Sequence, residues 1–361
     1  METLDVDTCP EYEALSYTWG DPNDTEMILV NGCKMNVRRN LWDFLDGVSK
    51  ARIDYVNHDR GKYQAGYLWI DQISINQSAV DEKNHQVRQI GAIFAVAERV
   101  VVWLGKDTSE NEDALKTFTL SYESAEPSTE VARVRELQTA INVLTRPYWT
   151  RLWIVQECLL ARDLIVVCGR LYITWARFLK YRYLYNAVLQ GELSSETRML
   201  AKMSLTAPWL AKYRSMTLEP TRVFLSLEQA LQTFAWHECA DPRDKVYGLL
   251  AVVRGSKMLI EIDYARPAPL IFWDVFRVMA KGKTVPLLEF NWLLELGKDM
   301  RVTGEEPNAY SYVHVGPLDR LARFSWPDGW TLWRPSWVTN EALQAAKSVL
   351  KPPSQRSYTY R

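Results

Sequence analysis

Short apolar runs, each closed by a turn or a polar residue, alternate with stretches of helical spacing along the first half of the chain. Residues 12–19 alternate weakly and stop at Gly20-Asp21-Pro22, which predicts a strand and a loop. The runs 27–30 and 34–37 flank Asn31-Gly32, a pair suited to a tight hairpin because both residues tolerate positive φ. Asn40 is placed to cap a helix through Leu41, Leu45 and Val48, and 67–70 is a short apolar strand that ends in Asp71. A helix is predicted to open over 78–82 and to run on through Val87, Ile90, Ile93, Phe94 and Ala97. Residues 100–104, closed by Gly105, form a further buried strand. An acidic, polar stretch over 106–129 predicts a loop or insertion, followed by a helix from about 131 to 144 and a strand over 164–168. Strands separated by helices imply an α/β fold with a mostly parallel sheet flanked by helices. Residues 175–236 read as an all-helical continuation, and 267–361 show no clear period. The predicted divisions are an α/β domain over 1–172, a helical extension over 173–255 and an irregular Trp- and Pro-rich region over 256–361.

Composition narrows the class. At 361 residues, with 47% hydrophobic and 24% charged, the chain reads as an ordinary soluble protein able to bury a sizeable core. A formal net charge of −1 argues against bulk attraction to nucleic acid or to an anionic membrane. No apolar run approaches the roughly 18 residues of a spanning helix, and the acidic N-terminus lacks the apolar segment of a secretory signal. Cys9, Cys33, Cys158, Cys168 and Cys239 are odd in number and scattered, as expected of reduced thiols in a cytoplasmic protein. His58, His85, His237 and His314 show no metal-ligand spacing, so no metal site is expected. Walker A, GxGxxG and GxSxG patterns are missing too. His237 and Cys239 are close, but two positions apart they would diverge on a helix.

The chemistry-bearing segment is Arg146-Pro-Tyr-Trp-Thr-Arg-Leu-Trp-Ile-Val-Gln-Glu157. Thr150 is placed to cap a helix over 151–161, on which Trp153, Gln156 and Glu157 would share one face. A carboxylate on an otherwise core-like helix is costly to bury without a purpose. Polar clusters at 16–21, at 71–77 and leading into Glu157 each follow an apolar strand or precede a helix. In an open parallel sheet such clusters would converge outside the carboxyl ends of the strands. Asp71 is suited either to a ligand hydroxyl or to a neighbouring backbone amide. Asn76, with Gln77, suits ligand reading or an Asx turn before a helix. Glu157 suits a ribose hydroxyl and a cationic transition state, or an ion pair with Arg151 or Arg146. Arg151 suits a phosphate, and Trp153 suits ring stacking or the core.

These residues carry a resemblance. Tyr12-Glu-Ala-Leu-Ser-Tyr-Thr-Trp-Gly-Asp21, Leu68-Trp-Ile-Asp71 with Ile75-Asn-Gln77, Val101-Val-Trp-Leu-Gly105 and 146–157 are similar, in order, to the motifs of the fungal heterokaryon incompatibility (HET) domain. Asp241-Pro-Arg-Asp-Lys-Val-Tyr-Gly-Leu-Leu250 with Asp263-Tyr264 resembles the segment that commonly follows, and Arg334-Pro-Ser-Trp337 resembles a later motif. Ser74 stands where the family often has Cys, so no cysteine is required there. The chain begins almost at the first motif and 354–361 show no obvious domain end, which leaves a truncated member open.

The resemblance implies a role in fungal non-self recognition that ends in cell death. It also implies a distant likeness to TIR domains, with their flavodoxin-like sheet. Many of those place a glutamate four residues after a Trp, as Glu157 follows Trp153, and in the enzymatic ones it supports cleavage of the nicotinamide–ribose bond of NAD. Carried over, Glu157 is the catalytic candidate, with Ser16, Trp19, Asp71, Asn76, Arg151, Trp153 and Gln156 as candidate substrate-binding residues. NAD would be a substrate, and no metal or further cofactor is demanded. The alternative is a non-catalytic module that self-associates or binds a recognition or activator protein. An enzyme calls for Glu157 partly exposed in a cleft with Asp71 or Ser16 nearby. A module calls for Glu157 locked in a buried ion pair with Arg151 or Arg146, and for no pocket of nucleotide size.

Overall fold

Runs that are apolar at every position become the interior of a sheet, because a strand covered on both faces needs no alternation. In the computed structural model, β5 (Arg99–Trp103) and β6 (Leu164–Cys168) are buried at every residue. The structure describes residues 8–50, 66–106, 146–178, 224–255 and 260–280, with Val143, Leu210, 212–214, 296–297, 299–300 and the strand pair Leu321–Ser325 and Thr331–Pro335. The expected insertion over 106–129, nearly all of the helix expected over 131–144 and much of the extension lie outside the described residues.

The central sheet has five strands in the order β4 (Tyr67–Trp69), β1 (Tyr12–Tyr17), β5, β6, β7 (Leu171–Thr174). All neighbours run parallel except the last pair. Counted along the chain this is the order 2-1-3-4-5 of flavodoxin-type sheets, with the direction of winding reversing between the strands β1 and β5. The expected α/β class with a mostly parallel sheet is therefore present. β2 (Thr25–Val30) and β3 (Cys33–Arg38) form the expected hairpin, with Asn31 and Gly32 at φ of 50° and 79° as a tight turn of this hand requires.

Alternation along the strands assigns the two faces. Leu15, Tyr17, Val101, Trp103, Ile165 and Val167 pack against Leu41 and Phe44 of α1 (Arg39–Ser49) and Val37 of the hairpin. Ala14, Val100, Val102, Leu164 and Val166 face α2 (Val80–Val96) and α3 (Ile154–Leu160). The same core continues into the extension through Leu231, Phe234 and Tyr247, and beyond it through Ile271 and Val275.

Three local readings change. Asn40 does not cap α1, which begins at Arg39; inside the helix it donates to the Thr18 carbonyl (2.5 Å) and its Oδ1 accepts from the Trp103 indole (2.9 Å), tying α1 to the ends of β1 and β5. The helix expected over 151–161 is shorter. A 3-10 turn spans Pro147–Thr150, Arg151 is extended, and α3 starts only at Ile154. The stretch beyond 267 contains a helix, Ala268–Ala280, hidden from periodicity because Ile271, Phe272, Trp273 and Val275 bury more than one side of it.

Candidate functional site

Ser16 is the penultimate residue of β1 and shares its face with Tyr12 and Ala14, so its side chain enters the layer occupied by α3. There its hydroxyl donates to Glu157 Oε2. The Tyr148 hydroxyl lies 2.6 Å from Ser16 Oγ, and since the serine proton is committed to the carboxylate, Tyr148 is the donor. Arg151 meets both carboxylate oxygens of Glu157, Nη1 to Oε2 and Nη2 to Oε1, each at 3.4 Å. Glu157 is 5% exposed. The Arg151 side chain retains 17% of its surface, against 6% for that of the glutamate.

Asp71 stands one residue beyond the end of β4, after Ile70, and arrives at the same rim. Trp19 Nε1 donates to Asp71 Oδ2 (2.7 Å), and the Gln72 amide donates to Oδ1 (2.7 Å). Tyr17 donates to Gln72 Oε1 (3.2 Å), and the Arg38 guanidinium lies 4.9 Å from the centre of the Trp19 ring. Ser16, Trp19, Asp71, Arg151 and Glu157 are therefore gathered at the carboxyl ends of β1 and β4, next to the winding reversal.

Charge sets the behaviour of this group. Burial pushes the Glu157 carboxyl up, Arg151 and the Ser16 hydroxyl pull it down, and Asp71 adds to the rise. Burial likewise raises Asp71 against the opposing pull of Arg151 and Trp19. Burial works against the charge on Arg151, yet Glu157, Tyr148 and Asp71 outweigh it and hold the guanidinium more firmly protonated. Two carboxylates around one cation make a group that titrates as a unit. Such a group can hold or release a proton beside a hydroxyl, and its cation can be recruited by a competing anion.

The remaining candidates stand elsewhere. Trp153 is the N-cap of α3, with the Glu157 amide bonded to its carbonyl (3.2 Å), and its indole donates to Asp244 Oδ2 (3.1 Å) instead of joining the rim group. Gln156 turns away and donates to the Tyr247 carbonyl (3.0 Å). Exposed Asn76 makes the Asx turn at the entry to α2, accepting from the Ser78 amide (3.1 Å). Thr150 caps no helix and donates to Glu238 Oε2 (3.0 Å). A cavity of about 820 Å³ opens beside β4, lined among others by Leu29, Trp42, Trp69 and Ile93. None of the candidate residues lines it.

Three residues that matter here carried no separate expectation: Tyr148, Arg214 and Asp244. Tyr148 lay inside the motif, and its hydroxyl was the signal. Arg214 donates to the carbonyls of Cys158 (2.7 Å), Ala161 (2.6 Å) and Arg162 (3.0 Å), capping the end of α3, and nothing in a helical stretch marks it for that task. Buried His237 and half-buried Cys239 form no nucleophile pair: the His237 ring bonds the Phe234 carbonyl (2.8 Å), and burial pushes the Cys239 thiol up to about 12. None of the five cysteines is in a disulfide. Among the described residues no group of three or more His, Cys, Asp or Glu is placed to hold a metal, and no helix is long and apolar enough to cross a membrane.

Residues 12–157 match the family described as heterokaryon incompatibility protein (HET), from the first residue of β1 to Glu157 itself. The chain carries an HET domain. Heterokaryon incompatibility protein 6, OR allele, of Neurospora crassa is 27% identical in an alignment of 359 positions that covers 83% of this chain and 50% of that protein. The chain thus spans about half the length of the curated relative it matches. No solved structure matches it. Within the HET domain, the match ends at the carboxylate around which the rim group is built.

Proposed function

We propose that this chain acts in the cytoplasm as an effector of fungal heterokaryon incompatibility, a non-self recognition that ends in cell death. Its HET domain works by cleaving the nicotinamide–ribose bond of NAD or a related nucleotide. The observation that carries the chemical part is Glu157 held against the Ser16 hydroxyl at the carboxyl rim of the sheet, with Arg151 on both of its oxygens. When the C1′–N bond breaks, its electron pair leaves with the nicotinamide, which departs neutral and needs no acid. Positive character develops on the ribose, a carboxylate beside it stabilises that charge, and water adds at C1′ and gives up a proton. In the resting chain Arg151 covers Glu157. A diphosphate offers the guanidinium a bidentate partner of higher charge, which would draw Arg151 off and uncover the carboxylate as substrate binds.

A second reading, a signalling module without catalysis that self-associates or binds an activator, is favoured by one observation: Glu157 is 5% exposed and engaged by both Ser16 and Arg151. The two separate in one experiment. Purified protein, wild type beside Glu157→Gln, is assayed for nicotinamide release from NAD at concentrations that permit association. The enzyme predicts release by the wild type and a fall of at least about 100-fold in the variant, whose amide keeps the shape but not the charge. No release by a folded, associated wild type would move the conclusion to the module.

A further inference from the structure

Arg151 meets both carboxylate oxygens of Glu157, and it stands in extended conformation between a 3-10 turn and a helix. Locally its backbone is held by the bond from its amide to the Tyr148 carbonyl (3.3 Å). Its further holds come from the extension. Arg151 pairs with Glu238 as an isolated parallel bridge, in which Leu152 N donates to the Glu238 carbonyl (2.9 Å) and Glu238 N donates to the Thr150 carbonyl (2.6 Å). Two residues on, the Trp153 indole is fastened to Asp244, whose other oxygen accepts from the Tyr264 hydroxyl. One residue before Trp153, Leu152 is wholly buried against Gly248, where an added Cβ would stand 3.1 Å from Leu152 Cδ2 and 2.9 Å from the Asp244 carbonyl. The Asp244 end is itself secured: Lys245 Nζ donates to the carbonyls of Ala235 and His237, each at 2.8 Å, and Tyr247 bonds the backbone of Asp263 through its hydroxyl.

The geometry points to a clamp: residues 238–248 of the extension position Arg151 against Glu157, with the Trp153–Asp244 contact as its side-chain link. The two members of that link are positioning residues, since neither touches the rim group itself. Trp153 is the one side chain between Arg151 and α3 that is tied to the extension by a polar bond. Releasing it frees the short extended segment to rotate, and Arg151 then loses the register that brings both of its nitrogens to Glu157. Coupling runs through backbone geometry, so it is specific to this link and not to the stability of the extension at large. The clamp deepens the reading above only in its effect on turnover; its effect on the Arg151–Glu157 pair stands without that reading.

The test reads Glu157 directly. Full-length chain carrying carboxyl-13C glutamate is titrated by NMR, with the Glu157 signal assigned by its loss in Glu157→Gln. Trp153→Phe keeps an aromatic ring but loses the indole N–H together with part of the ring system, and Asp244→Ala removes the acceptor. Both are expected to move the Glu157 midpoint up by roughly one pH unit, as a cation withdrawn from a buried carboxylate does. Asp244→Asn keeps an oxygen for the indole and retains the wild-type midpoint. Leu231→Ala destabilises the extension without touching the link and also leaves it in place. An unchanged midpoint in Trp153→Phe and Asp244→Ala, or an equal shift in Leu231→Ala, overturns the clamp. Nicotinamide release from NAD, measured on the same samples, separates the two ideas. A silent wild type with the shifts intact removes the enzyme and leaves the clamp, and an active wild type without the shifts does the reverse.

Discussion

Glu157 and Asp244 are carboxylates that the fold has taken almost wholly out of water, at 5% and 7% exposure, and they are held in opposite ways. Asp244 accepts from two neutral donors that are themselves packed, the Trp153 indole and the Tyr264 hydroxyl. Glu157 accepts from one hydroxyl and from a half-buried arginine through contacts of 3.4 Å. Burial raises both. The difference lies in charge: the partners of Asp244 are neutral donors, a half-buried indole and a buried hydroxyl, whereas the partner over Glu157 is a cation that a competing anion could recruit. Asp244 fastens, and Glu157 is kept covered.

The strongest way to break that contrast is to take away the arginine. Arg151→Met strands Glu157 among apolar neighbours, and breaking one side of a buried pair costs about 3–5 kcal/mol. The loss should be larger at pH 8 than at pH 5. A carboxyl whose folded pKa lies above its unfolded one takes up a proton on folding as pH falls, so the penalty for the charge disappears on the acid side. Urea unfolding at the two pH values reads this directly. Adding Glu157→Gln should restore most of the loss. If the two substitutions simply add, Arg151 and Glu157 are not partners in any energetic sense.

Next in size is a pair of opposed pH slopes. Burial moves the Asp244 carboxyl up from 3.8 to about 6, with Tyr264 and Trp153 opposing. The folded chain therefore binds this proton more tightly than the unfolded one between those values, and stability falls as pH rises through the window. His237 goes the other way: burial lowers it from 6.5 to about 4, so the unfolded chain takes the proton first and stability is lost as pH falls. Each contribution is on the order of 3 kcal/mol. Relative to the wild type, Asp244→Asn should lose stability between pH 6 and pH 4, and His237→Gln should gain it. Melting temperatures across that range that move together in both variants would contradict the assignment.

How much of this was legible follows from where the determining contacts lie. β5, β6 and the Asn31-Gly32 hairpin were readable because short apolar runs and a positive-φ pair are local signals. The convergence of Ser16, Asp71 and Glu157 was readable too, as strand ends of a parallel sheet fall on one rim. The path of the chain at Arg151 was not. Its partner Glu238 lies 87 positions further on, and without it 151–161 has every local feature of a helix. The indole of Trp153, at the N-cap of α3, goes to Asp244, a partner 91 positions further on that no local signal names. The motif containing Asp241 and Asp244 was visible as a motif, but its role as a clamp depends on what it docks against.

The finest test of the contrast removes one hydroxyl from each carboxylate's surroundings. Tyr264 donates directly to Asp244, a bond to a charged group, so Tyr264→Phe should cost about 2 kcal/mol and move Asp244 still further up. Tyr148 donates to Ser16, which in turn donates to Glu157, so Tyr148→Phe breaks a bond between two neutral hydroxyls and leaves the serine proton where it was. Its cost should be about 1 kcal/mol, with the Glu157 titration moved less than that of Asp244. The smaller figure is what a relay predicts: the glutamate's own contacts, Ser16 and Arg151, survive the change. Equal losses and equal shifts in the two variants would mean that Tyr148 acts on Glu157 as directly as Tyr264 acts on Asp244, and the distinction between a fastened carboxylate and a covered one would fall.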